Sequence, residues 1–149
     1  MCGEKAMNDS EKSAVVEAIL TRAAEEAGDI TQVTMGRFYE RFPPGRELFT
    51  HHGGEGVENL EGEMVQRSVH CLMYWYDSPG EIEMLLMGSV PHHSETLNVP
   101  AEFYQGLLTA TAEIILETIP AENSEELAVW QELSDELRAM IQRSKECAS

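Results

Sequence analysis

Two short stretches of the chain hold the residue types that chemistry would need. Phe42-Pro43-Pro44-Gly45-Arg46-Glu47-Leu48-Phe49 ends a helical pattern at a proline and brings an aromatic ring six residues after Pro43. In the second, His92-His93, the second imidazole stands seven residues before Pro100, which opens a new apolar helix. A neutral imidazole offers a nitrogen lone pair to iron, and a histidine between apolar helical walls suits an axial ligand of haem. His93 is the candidate ligand, His92 is its neighbouring alternative, and Phe49 is the ring that would wedge against a porphyrin. The plainer reading of the same pair is a polar turn ahead of Pro100.

These residues need elements to position them, and the pattern predicts helices throughout. Strand alternation is weak, and no Asn-Gly or Asp-Gly hairpin turn occurs. Asn8-Asp9-Ser10 offers caps for a first helix with Val15, Val16, Ile19 and Leu20 inward, and Gly28-Asp29 breaks it. A second helix is predicted from about Ile30 to Phe42, stopped by Pro43-Pro44-Gly45. Gly53, Gly54 and Gly56 mark a loop before a helix presenting Val57, Leu60, Met64, Ser68, Cys71, Leu72 and Trp75 at steps of three and four. Asp77-Ser78-Pro79-Gly80 ends that helix, and a short apolar piece from Ile82 to Val90 follows, disturbed by Pro91. Pro100 suits the first turn of a helix reaching Ile119, and a last helix runs from about Ser124 to Ser144. Trp75 and Trp130, at helical spacing, are expected in the core. The Glu122, Glu125, Glu126 and Glu132 group is expected on a solvated face.

The 149 residues predict one domain with a sizeable core, and the 42% apolar content is that of a globular chain. The formal charge of −17 argues against nucleic acid and anionic membranes as partners, since phosphates would be repelled. It reads as a solubility device, with a basic protein partner left open. No apolar run approaches the roughly 20 residues of a membrane span. Met1-Cys2-Gly3-Glu4-Lys5 is followed by no secretion-signal core, and Gly3 stands one place too late for myristoylation. Cys2, Cys71 and Cys147 lack metal-ligand spacing and suggest reduced thiols in a cytoplasm, with an intermolecular disulfide through Cys2 or Cys147 conceivable on ageing. Ser94 sits beside a histidine without an elbow motif, which argues against a hydrolase.

Met35-Gly36-Arg37-Phe38-Tyr39-Glu40-Arg41-Phe42-Pro43, running on to Leu48-Phe49, resembles the globin segment that leads into the haem-contacting corner. The step from His93 to Pro100 is similar to that from a globin's proximal histidine to the proline of the next helix. Ala101-Glu102-Phe103-Tyr104 and Leu127-Ala128-Val129-Trp130 resemble the bacterial single-domain and flavohaemoglobin type. The resemblance spans about residues 11 to 145. It implies an all-α globin fold, one domain of about six to eight helices around a haem pocket, with a flexible tail over 1–10 and another over 146–149.

The resemblance leaves the distal side with alternatives. Counting back from His93 reaches Met64, with Ser68 one turn deeper. Other loop lengths would bring Leu60, Glu61, Gln66 or Arg67 over the iron, and counting forward from Phe49 reaches His70. Met64 implies an apolar pocket or a sixth axial bond, whereas His70 or Gln66 implies a hydrogen bond to bound oxygen. As a methionine on a helix, Met64 also reads as core filler. Met35 matches the neighbouring position that faces ligand, with Tyr39 one turn later either taking that role or packing in the corner. Arg46 and Arg67 are candidates to pair with haem propionates, or are solvated arginines.

What the resemblance implies for function is a non-covalent b-type haem, because no C-x-x-C-H occurs, binding oxygen or another diatomic gas reversibly. Turnover as a nitric-oxide dioxygenase would need a separate reductase, so ligand binding is expected over catalysis. A haem-based gas sensor, a peroxidase-like redox globin relying on His70, and a haem-free signalling module acting through the acidic surface are the alternatives. Association into oligomers is left open.

Overall fold

The computed structural model describes residues 7–93, 97 and 99–147. Cys2, Gly3, Ser94 and most of the two tails lie outside the described residues, and of Cys147 only the backbone is described. Every regular element among the described residues is helical: α1 (Asp9–Ala27), α2 (Thr31–Arg41), α3 (Pro44–Gly53), a short 3-10 turn (Gly54–Gly56), α4 (Val57–Tyr74), α5 (Pro79–Pro91), α6 (Ala101–Leu116) and α7 (Ser124–Cys147).

Local chemistry explains the boundaries. Asn8 and Glu11 cap α1 reciprocally: Asn8 Oδ1 accepts from the Glu11 amide at 2.8 Å, and Glu11 Oε1 accepts from the Asn8 amide at 3.4 Å. The helix therefore starts at Asp9, inside the stretch expected as tail. Gly28 closes it with a φ of 63°, a conformation that costs glycine little. Asp29 Oδ1 then accepts from the Thr31 amide at 2.9 Å and opens α2. Pro43 has no amide with which to continue α2, and Pro44 begins α3, because a proline at the first helical position loses only an amide that lacks a partner anyway. The sequence pattern shows the stop and not the start, so α3 is an addition to the predicted elements. Pro79 plays the same opening part in α5, which begins three residues earlier than the apolar run suggests.

Two apolar clusters hold these helices together. The larger joins α1, α4, α5, α6 and α7 through side chains such as Ile19, Leu72, Leu86, Ile115, Trp130, Leu133 and Ile141. Trp130, buried as expected, donates from Nε1 to the Ala112 carbonyl at 2.9 Å, so its polar atom is satisfied. The smaller cluster joins α2, α4 and α6 through Met35, Phe38, Tyr39, Val65, Leu107 and Ala110, with Phe42, Phe49, Met64 and Phe103 packed against it. Two glycines allow its closest approaches. A Cβ on Gly106 would stand 2.3 Å from Phe42 Cε2, and one on Gly45 would stand 2.7 Å from Phe38 Cε2. Phe42 meets Phe103 with ring centroids 5.1 Å apart, so α2 and α6 cross on aromatic surface.

One expected surface group is placed otherwise. Glu126 is buried, and both of its carboxylate oxygens accept from Arg22 at 2.5 and 2.7 Å. The Arg22 hydrogen bond holds its carboxyl below the usual range. The reason is tertiary: α1 and α7 pack together and bring a cation to the start of α7.

Candidate functional site

A cavity of about 260 Å³ opens between α3, α4, the end of α5 and α6. Its walls are mostly apolar. Phe49 and Leu48 come from α3, Leu60 and Met64 from α4, Leu86 from α5, and Phe103, Leu107 and Leu108 from α6. Polar groups are few and stand at definite places: His93, His92 and Ser89 at the end of α5, Arg67 and Ser68 on α4, His52 on α3 and Tyr104 on α6. An apolar pocket with a handful of placed polar groups is the usual form of a small-molecule or cofactor site.

His93 is the best-defined of them. It follows Pro91, which cannot donate a backbone hydrogen bond, and the chain leaves α5 in wide turns in which the Leu97 amide donates to the His92 carbonyl at 3.3 Å and the Val99 amide to the His93 carbonyl at 2.7 Å. The ring folds back on the last turn of α5. His93 Nδ1 lies 2.7 Å from the Ser89 backbone carbonyl. A carbonyl only accepts, so Nδ1 carries the proton, and in the neutral ring Nε2 keeps a free lone pair. Burial, above all, lowers the pKa of His93 below the ordinary histidine value, opposed in part by the Ser89 bond and reinforced by the nearby charges of His92 and Arg67. The ring is thereby held neutral, in one tautomer and half-buried in the cavity wall. Tyr104 supports it from α6: its hydroxyl donates to Ser89 Oγ at 2.9 Å, and its ring meets the imidazole edge-on with centroids 5.1 Å apart.

Across the mouth, His52 Nε2 donates to the Leu97 carbonyl at 2.9 Å, tying α3 to the segment between α5 and α6. Arg67 reaches the cavity from an exposed position and forms no ion pair among the described residues. Cys71 sits deeper in the α4 wall, where burial pushes its thiol up to about 11. Among the described residues, no three His, Cys, Asp or Glu side chains stand together as a protein-only metal cage.

Of the residues singled out by sequence, the structure brings Phe49, Leu60, Met64, Arg67, Ser68 and His93 to this cavity, with His92 beside them. Six others, Met35, Tyr39, Arg46, Glu61, Gln66 and His70, stand outside its lining. Met35 is buried in the smaller core cluster among Val65 and Leu107, because that face of α2 turns toward α4 and α6. Tyr39 packs in the corner: its hydroxyl donates to Glu61 Oε2 at 2.5 Å and its ring meets Phe49 edge-on at 6.0 Å. Arg46 stacks 4.3 Å over the Tyr39 ring and borders a separate surface groove. His70 is exposed and lies against Tyr74, since two steps past Ser68 a helix has turned its side chain to the far face. Ser89, Tyr104 and His52 were not foreseen. Ser89 was legible in principle, being four residues before His93 on a helical pattern, whereas nothing in the sequence pairs His52 with Leu97.

Compared with protein-family models, curated proteins and solved structures, the chain matches none.

Proposed function

We propose that the chain is a haem-binding domain of the globin type that binds oxygen or another diatomic gas reversibly. One observation carries this reading: a neutral imidazole in an apolar cavity wall, with Nδ1 committed to the Ser89 carbonyl and Nε2 left as a donor atom. The donor set fits a b-type haem better than a bare metal ion, because one protein ligand suffices when a porphyrin supplies the others. In that fit His93 would hold the iron, Phe49 and Phe103 would contribute apolar wall, and Arg67 would pair with the propionate carboxylates. Bound there, haem would supply an iron to which a small gas can bind reversibly.

The protein's part is then positional. The Ser89 carbonyl fixes the tautomer and ring plane of His93, and Tyr104 holds Ser89 in turn. The mostly apolar walls make water a poor competitor there. The α4 wall offers aliphatic carbon from Leu60, a thioether from Met64, a guanidinium from Arg67, a hydroxyl from Ser68 and a thiol from Cys71.

The test is spectroscopic. Pure protein supplied with haem should show a Soret band that shifts with carbon monoxide when reduced. His93→Gly should lose the wild-type spectrum and regain it when free imidazole is added, since the vacated wall can accept the small ring. A colourless wild-type protein sinks the proposal, and an unaltered spectrum in His93→Gly removes His93 as the ligand.

A further inference from the structure

The hydroxyl of Tyr39 is a buried proton donor for which gas binding has no use. Tyr39 is 8% exposed, and its hydroxyl donates to Glu61 Oε2 at 2.5 Å. Burial above all, and then the Glu61 hydrogen bond, push its pKa above the ordinary tyrosine value, so the phenol keeps its proton at rest. Arg46 lies 4.3 Å over the ring, and a cation there opposes positive charge on it. An electron therefore leaves this ring most readily when the proton leaves with it. Glu61 is in place to take that proton and is itself half-buried, in exchange with solvent. Two neighbouring rings connect Tyr39 to the cavity. It meets Phe49 with centroids 6.0 Å apart and Phe38 with centroids 5.7 Å apart, and both phenylalanines line the cavity. Tyr39 thus stands one ring behind the wall.

The other three of the four tyrosines each lack a part of this arrangement. Tyr104 lines the cavity, but its hydroxyl donates to Ser89 Oγ, which is no base. Tyr76 has Glu136 at 2.8 Å and Glu132 at 3.3 Å, yet it is buried in the larger core cluster and is not part of the cavity lining. Tyr74 is exposed against His70.

We propose that Tyr39 and Glu61 form a redox pair that gives an electron to haem when hydrogen peroxide oxidises it, a role that rests on haem occupying the cavity as proposed above. One oxygen of the peroxide leaves as water with both hydrogens, and the other stays with the haem, which is then two electrons short. Tyr39 returns one of them. Its phenolic O–H bond breaks, the proton bonds to Glu61 Oε2, and a neutral tyrosyl radical remains. The pair thereby draws oxidation away from Met64 and Cys71, whose sulfur atoms line the same cavity.

The test uses the full chain supplied with haem, and its absorption spectrum is read first. Without a Soret band the haem reading fails, and the redox pair falls with it. With the band present, hydrogen peroxide followed by freeze-quenched electron paramagnetic resonance should show a tyrosyl radical, narrowed when the protein is grown on ring-deuterated tyrosine. Tyr39→Phe keeps the ring and should abolish that signal, while mass spectra show more oxidation at Met64 and Cys71. Glu61→Gln keeps a hydrogen-bond acceptor but no base, and should slow the radical's appearance by about a hundredfold. Tyr76→Phe should give the wild-type signal. Circular dichroism and the Soret band check that each variant is folded and loaded. A loaded protein without a tyrosyl radical, a signal that survives Tyr39→Phe or vanishes in Tyr76→Phe, sulfur oxidation unchanged by Tyr39→Phe, or a wild-type rate in Glu61→Gln would each overturn the redox pair and leave the haem reading standing.

Discussion

Replacing Gly106 by alanine tests the crossing of α2 and α6 that sets the cavity wall. The would-be Cβ stands 2.3 Å from Phe42 Cε2 and 2.8 Å from Phe42 Cζ, where ordinary carbon contact begins near 3.4 Å. Phe42 cannot simply swing aside, because it is stacked on Phe38 at 5.4 Å and meets Phe103 at a tilt with centroids 5.1 Å apart. Overpacking of this kind costs about 1–3 kcal/mol. Against it stands the gain of about 1 kcal/mol when a helical glycine becomes alanine. Gly36→Ala on α2 isolates that gain, since a Cβ there meets nothing within 4 Å. The propensity contribution cancels between the two variants, so Gly106→Ala should be less stable than Gly36→Ala by the overpacking cost alone, about 1–3 kcal/mol. At about 2–4 °C per kcal/mol for a chain of this size, the melting temperatures should differ by roughly 2–12 °C. Thermal unfolding followed by circular dichroism measures it, with Gly62→Ala on α4 as a second open-site control. Equal melting temperatures for Gly106→Ala and Gly36→Ala would refute the close aromatic crossing.

Two further outcomes follow from buried ionisable groups. Glu126→Gln replaces the carboxylate that accepts twice from Arg22 and should cost about 1–3 kcal/mol at pH 7. Because Arg22 holds the folded carboxyl below its unfolded value, that advantage is present above the unfolded pKa near 4.5 and is lost as pH falls through the lower folded value. Melting curves from pH 7 downward should therefore converge for wild type and variant below the carboxylate range, and a constant gap would count against the pair. Cys71, with its thiol pushed up to about 11, should react at pH 8 at least about a hundredfold more slowly than a free thiol of pKa about 8.5. Alkylation of a Cys2→Ser/Cys147→Ser protein measures this, and fast labelling in the native state would place Cys71 at the surface.

Much of the architecture was legible from periodicity and punctuation. The i, i+3, i+4 spacing of apolar residues marks α1, α2, α4, α6 and α7, and Gly28, Pro43, Pro79 and Pro100 mark their limits, because local backbone chemistry alone restricts where a helix can run. Phe49 and His93 stood out for the same reason, each lying at a set distance from a proline. Local signals failed where one short motif served two elements. The Pro43-Pro44 pair ends one helix and begins another, and the short α3 between proline and glycines has too little amphipathic length to announce itself.

What only the tertiary structure decided is which side chains share a space. Met64, Arg67 and Ser68 reach the cavity while Met35, Tyr39, Arg46 and His70 do not, because the rotation of each helix is set by its packing against others and not by its own sequence. The same holds for Arg22 on Glu126 and for His52 on Leu97, pairs 104 and 45 residues apart. It holds above all for the proton on His93. Residue type made an imidazole available at that position, but the Ser89 carbonyl, brought within 2.7 Å by the last turn of α5 and steadied by Tyr104 from α6, chose which of its nitrogens is free to bind.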